Sequence, residues 1–150
     1  MVVAETLLSP LRIPISDFDM YKFSKRSLRV LSTVDERLQA VFLEAIEESP
    51  IDFGIPNTGG LRTAEMQNDL YLANKSQLDG YIKPSYHQTG LAVDVYGYVD
   101  GKASWDTGHL TEIADTIKSV ALRHGLKIVW GGDWTNFVDM PHFQISRGNS

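Results

Sequence analysis

The sequence predicts an α+β fold, and three observations predict it. Apolar residues recur at helical spacing (i, i+3, i+4, i+7) in two separate stretches, Leu38/Val41/Phe42/Ala45/Ile46 and Leu110/Ile113/Ala114/Ile117/Val120/Ala121. Short β-prone runs lie between and after them, two of them joined by Asp100-Gly101, a dipeptide that favours a tight hairpin. Helices and strands mix without a regular βαβ alternation, which separates α+β from a parallel α/β sheet.

Taken in order, residues 1–19 show no period and carry Pro10 and Pro14, so an irregular N-terminal arm is expected there, with one domain over residues 20–150. A short helix is expected from about Ser24 to Leu31. Thr33 and Glu36 form a capping-box pattern that opens the next helix, which ends near Ser49-Pro50. Ile51 to Ile55 reads as a strand, and Pro56-Asn57-Thr58-Gly59-Gly60 as a turn. Thr63 to Asn74 is a helix candidate, and the polar stretch to Gln88, with Gly80 and Pro84, is a loop. Leu91 to Tyr96 reads as one strand. The helix through Leu110 to Ala121 is closed by Gly125, placed as its C′ residue. Lys127 to Trp130 is a strand that Gly131-Gly132 breaks, and His142 to Ile145 is the last strand.

A chain of 150 residues suits one domain and can bury roughly 68–70% of the surface its unfolded form exposes, enough for a core without cross-links. With no cysteine, a disulfide framework, a thiolate metal site, an iron–sulfur cluster and a cysteine nucleophile are all excluded. Any metal must be held by His, Asp or Glu. The net charge of −5 argues against broad nucleic-acid binding, since only Lys22 to Arg29 is locally basic, and that stretch reads as a solvated helix face. No apolar run reaches 18 residues, so no transmembrane helix and no stable membrane association are expected. The first ten residues lack a basic segment and a long apolar one, so no secretory signal is expected.

The position that asks for a chemical explanation is Asp94, inside an otherwise apolar strand. A buried lone carboxylate costs several kcal/mol or neutralises itself, so it calls for a partner unless the strand is an exposed edge. His87 lies seven residues upstream across Gln88-Thr89-Gly90, whose glycine allows a turn back toward the strand; His142 sits near the C-terminus in Asp139-Met140-Pro141-His142-Phe143-Gln144. Two imidazoles and a carboxylate suit a catalytic zinc, which takes three protein ligands and keeps a fourth position open. Spacing alone leaves this open beside chance proximity. No Gly-x-Ser-x-Gly elbow is present, so a serine hydrolase is disfavoured.

Ser85-x-His87-x-x-Gly90-x-Ala92-x-Asp94, then Trp130-Gly131-Gly132-Asp133-Trp134, then Asp139-x-Pro141-His142-Phe143, closely resembles the phage-endolysin L-alanyl-D-glutamate peptidases. These belong with the zinc D-alanyl-D-alanine carboxypeptidases on the hedgehog/DD-peptidase fold, a small antiparallel sheet flanked by helices. Gly60-Leu61-Arg62-Thr63, with Gln67 five residues after the arginine, matches a fourth segment. Met20 to Ser27, Ser49 to Gly54 and Tyr98 to Trp105 also look similar, so the resemblance covers about residues 20–145.

Carried onto this chain, the resemblance implies one Zn²⁺ held by His87, Asp94 and His142. It implies that Asp139 takes a proton from the water at the metal and passes it to the leaving amine; the other reading of Asp139 is an acid that orients a ligand or caps a loop. Many relatives carry Glu there, so Asp139 fits a shorter-carboxylate branch. Arg62 would steady the developing oxyanion or hold a substrate carboxylate, where an isolated reading gives only a surface ion pair. Ser85 and Gln67 either hydrogen-bond around the site, near the substrate, or serve only the fold, and Trp130 and Trp134 either wall the cleft or fill the core. His109 and His124 match no ligand position. His124 is read as a cation at a helix C-terminus. The implied activity is hydrolysis of the L-Ala–D-Glu bond of peptidoglycan stem peptides by a monomer. It would gather in the host cytoplasm and reach the wall once a holin opens the membrane. The alternatives are a D-alanyl-D-alanine carboxypeptidase or dipeptidase with the same ligands, and a non-catalytic zinc module.

Overall fold

Two amphipathic helices, α2 (Glu36–Glu48) and α4 (Thr107–Arg123), pack against each other and supply much of the core. Every apolar position picked out by their helical spacing is buried. The structure, a computed structural model, describes residues 20–149. The arm expected over residues 1–19 lies outside the described residues. Before α2 comes α1 (Lys25–Leu31), capped by the Ser24 side chain, which accepts from the Ser27 N–H. α2 opens two residues later than the Thr33/Glu36 pattern predicts. Its N-cap is Asp35, whose carboxylate accepts from the Arg37 N–H at 2.8 Å and sits at the positive end of the helix dipole. Thr33 serves a different junction: its hydroxyl donates to the Val30 carbonyl and accepts from the Leu61 N–H. α3 (Ala64–Leu72) is capped by Thr63.

The strands form two small antiparallel sheets rather than the single one expected. β1 (Phe53–Gly54), β3 (Tyr96–Val99) and β4 (Lys102–Ser104) make one, in the order β1-β3-β4. β2 (Ala92–Asp94), β5 (Ile128–Trp130) and β6 (His142–Ile145) make the other, in the order β2-β6-β5. The predicted strand from Leu91 to Tyr96 therefore divides. Val95 is fully in the core and gives its N–H to the Pro141 carbonyl, and on either side of it the chain joins a different sheet. β1 is shorter than predicted because the Ile55 N–H turns away to the Ser27 hydroxyl on α1. The β3–β4 hairpin has the expected Asp100-Gly101 turn, with φ of 53° and 77°, the left-handed pair a tight primed turn requires. In the second sheet Asp94 lies directly opposite His142, which brings residues distant in sequence side by side.

On the surface, Arg123 of α4 bonds Glu44 and Glu48 of α2, and His124 bonds Glu44 at 2.8 Å. The hydrogen bonds from His124 and Arg123 lower the Glu44 carboxyl from 4.5 to about 2. A depressed carboxylate stabilises the fold above its unfolded pKa and loses that contribution as pH falls toward the folded value. The stability difference between wild type and Glu44→Gln should therefore be present at pH 6 and shrink between pH 4.5 and 2. The cluster is exposed, so the difference is at most about 1 kcal/mol and fades with salt. Urea denaturation across that pH range checks it.

Candidate metal centre and its cleft

The turn that delivers His87 is built locally. Ser85 opens a short 3-10 segment (Tyr86–Thr89): its hydroxyl accepts from the His87 N–H, and the Gln88 side chain accepts from the Ser85 N–H. Gly90 closes it in the left-handed region at φ 72°, turning the chain into β2. The imidazole is buried, with Nδ1 2.9 Å from the Gly60 carbonyl and Nε2 3.2 Å from Asp94 Oδ1. His142 reaches the same oxygen from β6: its Nδ1 is 3.1 Å from Asp94 Oδ1 and its Nε2 2.7 Å from Gln144 Oε1.

These contacts decide where the ring hydrogens are. The Gly60 carbonyl and the Gln144 amide oxygen can only accept, so His87 donates through Nδ1 and His142 through Nε2. In the neutral rings the other nitrogen then presents a lone pair toward the same carboxylate oxygen. The three facing atoms lie within 4.8 Å of one another, and the set is largely buried. Three electron-rich atoms turned together with their outer nitrogens anchored fit a divalent cation of the zinc class, and suit it better than they suit each other. Burial alone would push the Asp94 carboxyl up, but when the rings carry a second proton, hydrogen bonds from His142 and His87 and their charge hold it well below the usual carboxylate range.

The second oxygen of Asp94 is held as well. Arg62 donates from its NH2 group to Oδ2 at 2.8 Å, from NH1 to Gln67 Oε1 at 2.9 Å, and from Nε to the Thr58 carbonyl at 2.7 Å. The Gln67 amide in turn donates to the Ser76 hydroxyl and the Leu78 carbonyl. Gln67 is fully buried and has the structural place its second reading allowed: it braces Arg62 and pins the loop at residues 76–78.

Asp139 stands across the cleft in a tight turn. Its N–H donates to the Gly131 carbonyl and its carbonyl accepts from the His142 N–H, which brings acid and imidazole together around Pro141. Partial desolvation, then the negative charge of Asp94, raise the Asp139 carboxyl above its ordinary value; His142, His87 and Arg62 oppose the rise. The glycine pair makes this turn possible. A Cβ on Gly131 would lie 2.2 Å from the Asp139 carbonyl oxygen, and one on Gly132 would strike the Trp130 ring.

A cleft of about 810 Å³ passes over these groups, lined among others by Arg62, Ser85, Trp105, Trp134 and Asp139. Ser85 is mostly buried, its hydroxyl engaged in the cap. Trp134 walls the cleft, its ring 5.4 Å from that of His142. Trp130 does not: it is buried in the core, stacks on Phe143 and gives its indole N–H to the Met140 carbonyl at 2.6 Å. His109 bonds Ser104, and His124 caps α4, so both stay out of the cluster. Gln144 was absent from the sequence-based site. Its only signal there was position: residues i and i+2 of a strand share a face, so it stands beside His142.

A family model described as phage L-alanyl-D-glutamate peptidase matches residues 19–148. The L-alanyl-D-glutamate peptidase of Escherichia phage T5 is 34% identical over 129 residues, covering 85% of this chain and 91% of that protein. The peptidoglycan L-alanyl-D-glutamate endopeptidase CwlK of Bacillus subtilis is 31% identical over 97 residues, 59% of this chain and 58% of its own length. Among solved structures, the Serratia marcescens L-Ala D-Glu endopeptidase ChiX superposes with a TM-score of 0.75 at 32% identity, covering 87% of this chain and 93% of that one.

Proposed function

We propose, for a chain that belongs to the phage L-alanyl-D-glutamate peptidase family, that it is a zinc peptidase cleaving the amide between L-Ala and D-Glu in peptidoglycan stem peptides. The observation that carries the reading is the convergence of His87 Nε2, Asp94 Oδ1 and His142 Nδ1 beside Asp139 in one cleft. Two neutral imidazoles and one carboxylate are the ligand types of a hydrolytic zinc site. When bound, zinc lowers the pKa of a coordinated water toward about 7 and polarises a carbonyl.

The chain's own groups do the rest. Asp139, a carboxylate beside the site and outside the ligand set, accepts the proton of the attacking water and hands it to the leaving amine of D-Glu. Its raised pKa suits both transfers, because a base far more acidic than its surroundings takes protons poorly. Arg62 has five N–H groups, three of them directed at Thr58, Gln67 and Asp94. The remaining donors and the fixed charge serve the carbonyl oxygen as it becomes negative, or a carboxylate of the acidic stem peptide. Trp134 holds the His142 ring on its cleft side.

The enzyme is proposed to collect in the host cytoplasm and to act on the wall after release. Among the described residues no helix is long and apolar enough to cross a membrane. Digestion of purified muropeptides with and without a chelator, followed by mass spectrometry, tests the reading. The expected products are L-Ala left on the muramyl lactyl group and a released peptide beginning at D-Glu, both abolished by the chelator and restored by zinc. Release of free D-Ala with the L-Ala–D-Glu bond intact would instead identify a D-alanyl-D-alanine carboxypeptidase.

A further inference from the structure

We infer that Gln144 is a positioning residue: its amide oxygen holds His142 in the orientation that turns Nδ1 toward the metal. This rests on the zinc reading of the three-residue cluster. His142 differs from His87 in which nitrogen faces Asp94. His87 presents Nε2, and its other nitrogen is anchored on backbone, the Gly60 carbonyl, which no side-chain substitution removes. His142 presents Nδ1, and its other nitrogen is anchored on a side chain. A half-turn of the ring about its Cβ–Cγ bond would swing Nδ1 away from Asp94 and leave carbon in its place. The 2.7 Å bond from Nε2 to Gln144 Oε1 opposes that rotation and keeps the hydrogen on Nε2, so Nδ1 keeps its lone pair.

The mount for this bond is stiff. β6 is the central strand of its sheet, and Gln144 is paired in register with Ala92 of β2 on one side and Val129 of β5 on the other. His142 and Gln144 are two residues apart on one face, so the spacing between ring and amide is set by the strand itself. Ala92 opposite is small and fully buried. Groups that hydrogen-bond the outer nitrogen of a metal-binding imidazole typically contribute 10–100-fold to metal affinity.

The test separates the oxygen from the bulk of the side chain. Gln144→Met keeps the length and removes the acceptor; Gln144→Glu keeps an acceptor at the same reach; Gln144→Asn keeps the amide but draws it back by one carbon. Zinc affinity is read by competition with a chromophoric chelator, and the His142 tautomer by ¹⁵N NMR of the zinc-free proteins. Expected are a 10–100-fold loss of zinc affinity for Gln144→Met and Gln144→Asn, retention within about 3-fold for Gln144→Glu, and a mixed His142 tautomer only in the first two. Activity of Gln144→Met should recover at saturating zinc. Zinc affinity of Gln144→Met within 2-fold of wild type, or an equal loss in Gln144→Glu, overturns the inference. Should wild type bind no zinc, the functional reading falls, while the tautomer measurement still decides what Gln144 does to His142.

Discussion

Asp139→Ala is expected to lower kcat/KM on muropeptides by about 10²–10⁴-fold while the protein still binds one zinc per chain. The loss is large because, on the proposed mechanism, the carboxylate both accepts and returns a proton, and the only other acid lining the described cleft is Asp94 of the three-residue cluster. Zinc should stay because Asp139 is not among the three converging residues. The turn should also survive, since Asp139 is tied to Gly131 and His142 through backbone groups that alanine retains. Asp139→Glu carries the same chemistry on a longer arm and should recover part of the rate. The measurements are metal content and muropeptide turnover on the same preparation. Lysis of permeabilised cells by Asp139→Ala at the wild-type rate would remove Asp139 from its role as base.

Arg62→Met should act through stability and metal binding as much as through rate. It deletes the partner of Asp94 Oδ2 and leaves the Gln67 amide oxygen and the Thr58 carbonyl without their donor, all in a mostly buried place. Removing one member of a buried ion pair typically costs about 3–5 kcal/mol, because the remaining charge stays buried and uncompensated. The loss should be greatest in the zinc-free protein, where Asp94 has only its two imidazoles beside it. Zinc should reduce the deficit by supplying the missing positive charge. Arg62→Lys, with one compact donor head in place of a planar fork, cannot serve three acceptors at once and should fall between. Denaturant unfolding with and without zinc reads the effect; equal stability of Arg62→Met and wild type in the zinc-free state would confine the arginine to catalysis.

The helices were legible in the sequence because their apolar spacing is a local property, and α2 and α4 bury the residues that spacing selects. The Asp100-Gly101 hairpin was legible for the same reason: two residues with positive φ fix it. Val95 shows what local pattern omits. Alternation says which side chains share a face, but not that the chain bends there and enters a second sheet, which depends on the Pro141 carbonyl far along the chain. His87, Asp94 and His142 were legible as a set through their motifs, and the fold gathers them. Trp130 and Gln67 were left between two readings because composition cannot say which way a large or polar side chain faces once Phe143 or Arg62 is beside it. Gln144 escaped notice because an amide has no chemistry of its own until the imidazole it touches is known.

The three gathered residues come from a turn and two strands that are separate along the chain. An ion shared by His87 and His142 closes a loop from residue 87 to residue 142 around the whole of the hairpin and α4. Because such an ion leaves when the chain unfolds, it would stabilise the folded state through its binding affinity and free concentration, not by constraining the unfolded chain. In a sequence without cysteine, a bound metal would cross-link these distant segments of the folded chain, and would do so reversibly. The ion proposed for catalysis would then also help to hold the fold together.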